Sequence, residues 1–95
     1  MHIGLVGLGK MGNNMRARLE ANGIEVTGYD TRPDVSDVPE LKDLVAALPT
    51  PRIVWVMVPS GKITDDVISD LAEVLEPGDL VIEGGNSRFL SLIHI

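Results

Sequence analysis

Three glycines and one acid are the residues of this chain best placed to do chemistry. Gly7, Gly9 and Gly12 lie in Val6-Gly7-Leu8-Gly9-Lys10-Met11-Gly12, and Asp30 follows 18 residues after the last of them. The glycines read as a cradle for a dinucleotide pyrophosphate. Gly7 permits a tight turn, Gly9 lets backbone approach a phosphate with no Cβ in the way, and Gly12 lets a helix pack close to a sheet. At the helix N-terminus that follows, free N–H groups and the positive end of the dipole stabilise anionic oxygens without a Lys or Arg side chain. Glycine spacing alone is weak evidence, because ten glycines in 95 residues can fall into register by chance. The acid supplies the second half, since a carboxylate about 20 residues on can accept the hydroxyls of a ribose.

The elements needed to position these residues are legible around them. His2-Ile3-Gly4-Leu5-Val6 is a short apolar run suited to a buried parallel strand. Met11, Met15 and Leu19 recur every fourth residue on one helical face, and Asn22-Gly23 supplies a C-terminal stop. Ile24-Glu25-Val26-Thr27-Gly28-Tyr29 then reads as a second strand ending at Asp30, which completes a βαβ unit. The plainer alternative is that Asp30 only opens a turn with Arg32-Pro33. A carboxylate at this position also favours NAD over NADP. It would meet the 2′-phosphate at short range, and like charges about 4 Å apart cost about 1–4 kcal/mol between the dielectrics of water and a protein surface. Arg32 works against this, because its guanidinium could pair with a phosphate if Asp30 swung away.

Further along, residues 31–37 are polar and read as a loop. Leu41, Leu44, Val45 and Leu48 fall on one face of a short helix that starts near Pro39 and ends before Pro49. Arg52-Ile53-Val54-Trp55-Val56-Met57-Val58 is β-branched and does not alternate, as expected of a central strand beside the first. Ile63, Val67, Ile68, Leu71, Val74 and Leu75 mark a third helix, which Glu76-Pro77-Gly78 stops. Asp79-Leu80-Val81-Ile82-Glu83 reads as another strand, with Gly84-Gly85-Asn86-Ser87 at its carboxyl end, where open α/β sheets bind ligands. Trp55 and the methionines read as core, with Met11 in reach of a cofactor, and Lys10, Lys42 and Lys62 as solvated charges. The expected fold is α/β, an incomplete doubly wound parallel sheet of about four strands and three helices. The chain is shorter than the roughly 150 residues of a full six-stranded domain.

Composition narrows the function classes. A net charge of −6, with eight basic residues that form no run, gives no nucleic-acid footprint. With no cysteine there is no disulfide framework, thiolate nucleophile or thiolate metal site, and the two histidines, His2 and His94, lie at opposite ends. No apolar run approaches the roughly 18 residues of a membrane span, and the start lacks the pattern of a secretion signal. The expectations are no metal, no nucleic acid, no membrane and a cytoplasmic location.

Taken together, Gly7-Leu8-Gly9-Lys10-Met11-Gly12, Val56-Met57-Val58-Pro59-Ser60-Gly61 and Glu83-Gly84-Gly85-Asn86-Ser87 resemble the N-terminal cofactor domain of the 6-phosphogluconate dehydrogenases. These are oxidoreductases of the β-hydroxyacid dehydrogenase superfamily. The resemblance runs from Met1 to about Phe89. It implies a Rossmann-type fold in which Gly7, Leu8, Gly9, Lys10, Met11 and Gly12 hold the pyrophosphate. It implies further that Asp30, Thr31 and Arg32 hold the adenosine end, that Val58, Pro59 and Ser60 flank the nicotinamide, and that Asn86 contacts nicotinamide and substrate. Asp30 looks like the NAD-linked subgroup, because NADP-linked relatives carry an Asn-Arg-Thr type sequence there. Proline stands at Pro59 where many relatives have a lysine.

The family's reaction is oxidation of 6-phosphogluconate at its 3-hydroxyl, decarboxylation and tautomerisation to ribulose 5-phosphate, a step of the pentose phosphate pathway. Its lysine base and glutamate acid come from sequence beyond Asn86, so the expectation is that this chain holds no catalytic residue and at most binds nucleotide. The family is dimeric largely through its helical domain, so no native dimer of this chain is expected. Residues 90–95 depart from the family pattern and read as a tail from a truncated or misjoined frame rather than a strand, because a parallel neighbour would need a crossover helix. Three alternatives remain open: a 3-hydroxyisobutyrate dehydrogenase-like oxidoreductase, a non-catalytic NAD-binding module, and a methyltransferase that uses the same glycine turn.

Overall fold

The computed structural model describes residues 1–58, 62–84 and 91–95. Strand β1 (His2–Val6) leads into helix α1 (Lys10–Ala21) and strand β2 (Glu25–Tyr29). Helix α2 (Leu41–Ala46), strand β3 (Ile53–Val56), helix α3 (Lys62–Val74), and strands β4 (Leu80–Glu83) and β5 (Ser91–His94) follow. They form one sheet in the order β2-β1-β3-β4-β5. The first four strands are parallel, in a register that pairs Val6 with both Tyr29 and Val56, and Val56 with Glu83. The carboxyl ends of all four are therefore level. Gly7, Asp30, Met57 and Gly84 leave the sheet along one edge.

Side-chain alternation along the strands divides the core in two. Val6, Val54, Val56 and Val81 pack with Leu44, Val45 and Leu48 around α2 and with Leu71 and Leu75 around α3. Leu5, Leu8 and Val26 pack on the other face with Leu19 of α1, Trp55 and Met57. Each fully buried Leu or Val contributes roughly 1.5–3 kcal/mol relative to exposure. Helix α1 ends where Asn22-Gly23 is expected to end it. Gly23 takes φ +79°, its N–H donates to the Glu20 carbonyl at 3.0 Å, and the Ile24 N–H donates to the Leu19 carbonyl at 3.0 Å. Leu19 and Ile24 both pack on the α1-side core.

At the far end of the sheet from Gly7, Asp79 is 2% exposed and gathers three donors. The Arg52 N–H donates at 2.6 Å, the Glu76 N–H at 2.8 Å and the Arg52 guanidinium at 3.3 Å. Burial pushes the Asp79 carboxyl up, but these donors outweigh it and hold the group below its ordinary range.

The structure departs from the sequence expectations in two respects. The sheet has five strands rather than about four, because residues 91–94 form β5, antiparallel to β4. The crossover argument excludes only a parallel neighbour, whereas an antiparallel one needs no more than a short connection. Several apolar side chains expected in the core are exposed: Met1 at 79%, Met11 at 57%, Ile63 at 55% and Val74 at 38%. Met1 lies ahead of β1, and the helical spacing of the other three is correct, but on this sheet the buried arc of α1 is carried by Gly12 and that of α3 by Thr64 and Leu71. Trp55 lies at the edge of the α1-side core, and its indole N–H is buried with no partner among the described residues.

Candidate functional site

The turn after β1 is built by close contacts that only glycine allows. Gly7 adopts φ +97°, and a Cβ there would stand 2.8 Å from the Met57 carbonyl oxygen. A Cβ on Gly12 would run into the Gly7 carbonyl, so α1 packs directly on the turn. Gly9 differs: nothing lies within 4 Å of its Cβ position, so the chain itself does not require glycine there. Gly9 is the N-cap of α1 and no side chain caps the helix, although the Asn13 N–H donates to the Gly9 carbonyl at 2.8 Å. The first turn of α1 thus has no side-chain cap and begins beside Gly9, the one glycine of the three in this turn whose missing side chain leaves room for a ligand. Such an arrangement fits an anionic diphosphate.

Asp30 is fastened to this turn. Its Oδ2 accepts the Leu8 N–H at 2.8 Å, and its Oδ1 accepts the Arg32 N–H at 3.0 Å and the Arg32 Nε–H at 3.1 Å. Burial raises the Asp30 carboxyl, but the side-chain and backbone donors of Arg32 and the Leu8 N–H outweigh it and lower the pKa to about 2. The Arg32 guanidinium is pushed up by the same hydrogen bond to Asp30. An ionised carboxylate with lone pairs left over at a strand end can accept vicinal hydroxyls.

A cleft of about 300 Å³ joins these parts, lined by Gly7, Gly9, Tyr29, Asp30, Thr31 and Arg32 on one side and Met57, Val58, Ile63 and Val67 on the other. It brings together six of the thirteen predicted residues, Gly7, Gly9, Asp30, Thr31, Arg32 and Val58, with Lys10 and Met11 exposed on the first turn of α1 beside it. The exposed Ile63 is explained by this cleft, where it forms part of the apolar wall. Pro59, Ser60 and Asn86 lie outside the described residues. Among the described residues no group of three or more His, Cys, Asp or Glu could hold a metal, and no helix is long and apolar enough to cross a membrane.

Several residues that shape the site are missing from the sequence reading. The Asn13 Nδ2–H donates to the Leu8 carbonyl at 2.9 Å, and Arg32 Nη2 donates to the same oxygen at 3.1 Å. An asparagine in a first helical turn is a poor helix former with a free amide, which is the available signal for a backbone partner. Ser36 accepts the Asp30 N–H at 3.0 Å and donates to the Val38 carbonyl at 2.6 Å. Asp37 accepts both the Gly28 N–H at 2.8 Å and Arg16 Nη2–H at 2.7 Å. Spacing marks neither: Ser36 bonds within its own loop, to Asp30 and Val38, and Asp37 meets Gly28 of β2 and Arg16 of α1 only once the chain is folded.

A parallel sheet with a glycine turn, an uncapped helix N-terminus and a strand-end acid on one edge defines a nucleotide-binding domain of the Rossmann class. The family described as the NAD binding domain of 6-phosphogluconate dehydrogenase matches residues 2–95, and this chain belongs to it. The YqeC protein of Bacillus subtilis (strain 168) is 41% identical over 103 residues, covering 99% of this chain and 34% of the relative. The NAD(+)-dependent, decarboxylating 6-phosphogluconate dehydrogenase of the same organism is 36% identical over 100 residues, covering 92% of this chain and 21% of the relative. Among solved structures, a Plasmodium falciparum 6-phosphogluconate dehydrogenase, studied as apo form and with NADP+ or 6-phosphogluconate, superposes with a TM-score of 0.70. It is 26% identical, over 92% of this chain and 22% of that one. The chain thus spans 21–34% of the length of these relatives.

Proposed function

We propose that this chain binds NAD in preference to NADP and serves as the cofactor-holding part of a decarboxylating 6-phosphogluconate dehydrogenase. The observation that carries the reading is the bond from the Leu8 N–H to Asp30 at 2.8 Å, which sets the ribose acid beside the pyrophosphate turn before any ligand arrives. In this reading residues 7–12 hold the pyrophosphate, with Gly9 giving the closest approach and the first-turn amides of α1 meeting its oxygens. Asp30 takes the ribose hydroxyls, and Thr31 and Arg32 border the adenosine. Val58, Pro59 and Ser60 flank the nicotinamide, and Asn86 contacts nicotinamide and substrate.

When bound, the nicotinamide supplies a hydride acceptor for the hydroxyl carbon of the sugar-phosphate acid. The residues of this chain bind and orient; the lysine base and glutamate acid of the family belong to sequence beyond Asn86, as does the helical domain through which the longer relatives assemble as homo-oligomers. Alone, the chain is a nucleotide binder without turnover, working in the cytoplasm.

Calorimetric titration of the folded, monodisperse chain with NAD and with NADP tests this. Stoichiometric NAD binding, with NADP weaker by tenfold or more, is expected from the like-charge estimate of about 1–4 kcal/mol. No heat at millimolar NAD, or a preference for NADP, would overturn it.

A further inference from the structure

The ribose acid stands at the end of an edge strand, where backbone is ordinarily least constrained. On its inner side β2 pairs with β1, and the Gly7 N–H donates to the Tyr29 carbonyl at 2.9 Å. On its outer side the strand has no neighbouring strand among the described residues, yet its backbone is taken up. The Gly28 N–H donates to Asp37 Oδ2 at 2.8 Å, and the Asp37 N–H returns to the Gly28 carbonyl at 2.9 Å. One residue of the following loop thus imitates a strand partner. Arg16 of α1 closes the arrangement from above, with Nη2 donating to Asp37 at 2.7 Å and lying 3.5 Å from the Val26 carbonyl. Gly28 leaves space for both Leu8 and Arg16, since a Cβ there would stand 2.8 Å from a Leu8 methyl and 3.1 Å from Arg16 Nη1.

We infer that Arg16 and Asp37 are positioning residues for cofactor selection, a clamp between α1 and residues 31–38 that holds Asp30 and Arg32 closed on each other. The inference rests on the reading of Asp30 as the ribose acid. The same loop carries Ser36, which accepts the Asp30 N–H at 3.0 Å, and Arg32, which reaches the Leu8 carbonyl at 3.1 Å. With the loop fixed, Asp30 presents its remaining lone pairs to a ribose diol, and Arg32 stays on Asp30 and Leu8 instead of turning to a 2′-phosphate. With the loop released, Asp30 loses its backbone anchor and Arg32 is free to meet a phosphate. Neither Arg16 nor Asp37 lines the cleft, so their effect reaches the cofactor through Asp30 and Arg32 and falls on NAD and not on NADP.

The test is calorimetric titration of the 95-residue chain with NAD and with NADP, for wild type, R16M, D37A, the double variant and D30A. The clamp predicts that R16M and D37A each weaken NAD about tenfold while NADP is unchanged or tightens, and that the double variant is no worse than either single one. D37E, which keeps the charge, should recover part of the selectivity. Folding is followed by thermal melting, and if D37A does not fold, R16M, on the partly exposed face of α1, carries the test. Equal weakening of both cofactors, or an unchanged NADP-to-NAD ratio in folded variants, overturns the clamp. If wild type prefers NAD and D30A loses that preference while R16M and D37A keep it, the clamp alone falls and the cofactor reading stands. A wild type that binds neither cofactor, or both alike, removes both.

Discussion

Gly12 lies against the carbonyl of Gly7 so closely that no Cβ fits between them, whereas the space beside Gly9 is open. The two glycines therefore separate fold from ligand. In G12A the added methyl meets backbone on a turn already fixed by Gly7 at φ +97°, and overpacking of this kind costs about 1–3 kcal/mol or more. In G9A, at φ −75°, the methyl meets nothing, and stability should stay within about 0.5 kcal/mol of wild type. Thermal melts should show G12A lowered and G9A unchanged, while NAD titration should show G9A weakened. A G9A protein that melts normally and binds NAD as wild type does would remove Gly9 from the pyrophosphate site.

Asp30 gives the chain an acid-sensitive tie. Its folded pKa of about 2 lies below the ordinary 3.8, because the donors of Arg32 and Leu8 overcome the opposing effect of burial. The unfolded state therefore binds the proton more readily, and the ionised carboxylate contributes stability that is fully present above about pH 4 and is lost as pH falls through about 2. Asp37 and Asp79 are lowered as well and act in the same direction. For D30N, a deficit of about 1–2 kcal/mol is expected near neutral pH from the weakened charged hydrogen bonds. Denaturant titrations should show that deficit steady above about pH 5, narrowing below about pH 4 and closing near pH 2. A deficit independent of pH would mean that the charge of Asp30 plays no part.

What was legible in the sequence was local. The glycine turn, the stop at Asn22-Gly23 and the acid at the end of β2 each depend on neighbours within a few residues, so spacing reveals them. Burial was harder to read. Met11 and Ile63 have the helical spacing of core residues, but whether such a residue is covered depends on what packs over it, and Ile63 instead forms a cleft wall. β5 was missed because its pairing is antiparallel, which periodicity does not distinguish from a tail. The Arg16–Asp37 pair, 21 residues apart, was invisible for the same reason: it exists only once α1 lies across the edge of β2.

Asp79 should matter for stability and not for ligand. Its carboxylate is buried at the end of the sheet away from the cleft, and it satisfies the Arg52 and Glu76 amides together with the Arg52 guanidinium. Removing it leaves the Arg52 and Glu76 N–H groups without their acceptor, at about 1–3 kcal/mol each, although the Arg52 guanidinium keeps the Val45 carbonyl at 3.1 Å and Glu76 at 3.9 Å. Together the two losses are a large part of the roughly 5–15 kcal/mol typical of a small domain. D79A should melt far below wild type, and D79N, which keeps the shape and one acceptor, should fall between them. The folded fraction of D79N should titrate with NAD as wild type does. A D79A protein with an unchanged melt would show that Arg52 finds other acceptors.

The two edges of the sheet are treated differently, and the last prediction follows from that. The outer edge of β2 is covered by Asp37, while β5 ends the other side. The Ile95 N–H donates to the Asp79 carbonyl at 3.1 Å and the Gly78 N–H to the Ile95 carbonyl at 3.1 Å, so Ile95 faces β4. By the alternation of an antiparallel ladder, the N–H and C=O groups of Leu92 and His94 face outward. Leu92 is also 59% exposed, and no Lys, Glu or Pro in β5 discourages pairing with another chain. Concentration-dependent association through this edge is expected, and L92K should suppress it while changing stability by no more than about 0.5 kcal/mol. Sedimentation velocity over a concentration series reads the outcome. If wild type stays monomeric at high concentration, or if L92K associates as strongly, the edge of β5 is not the contact.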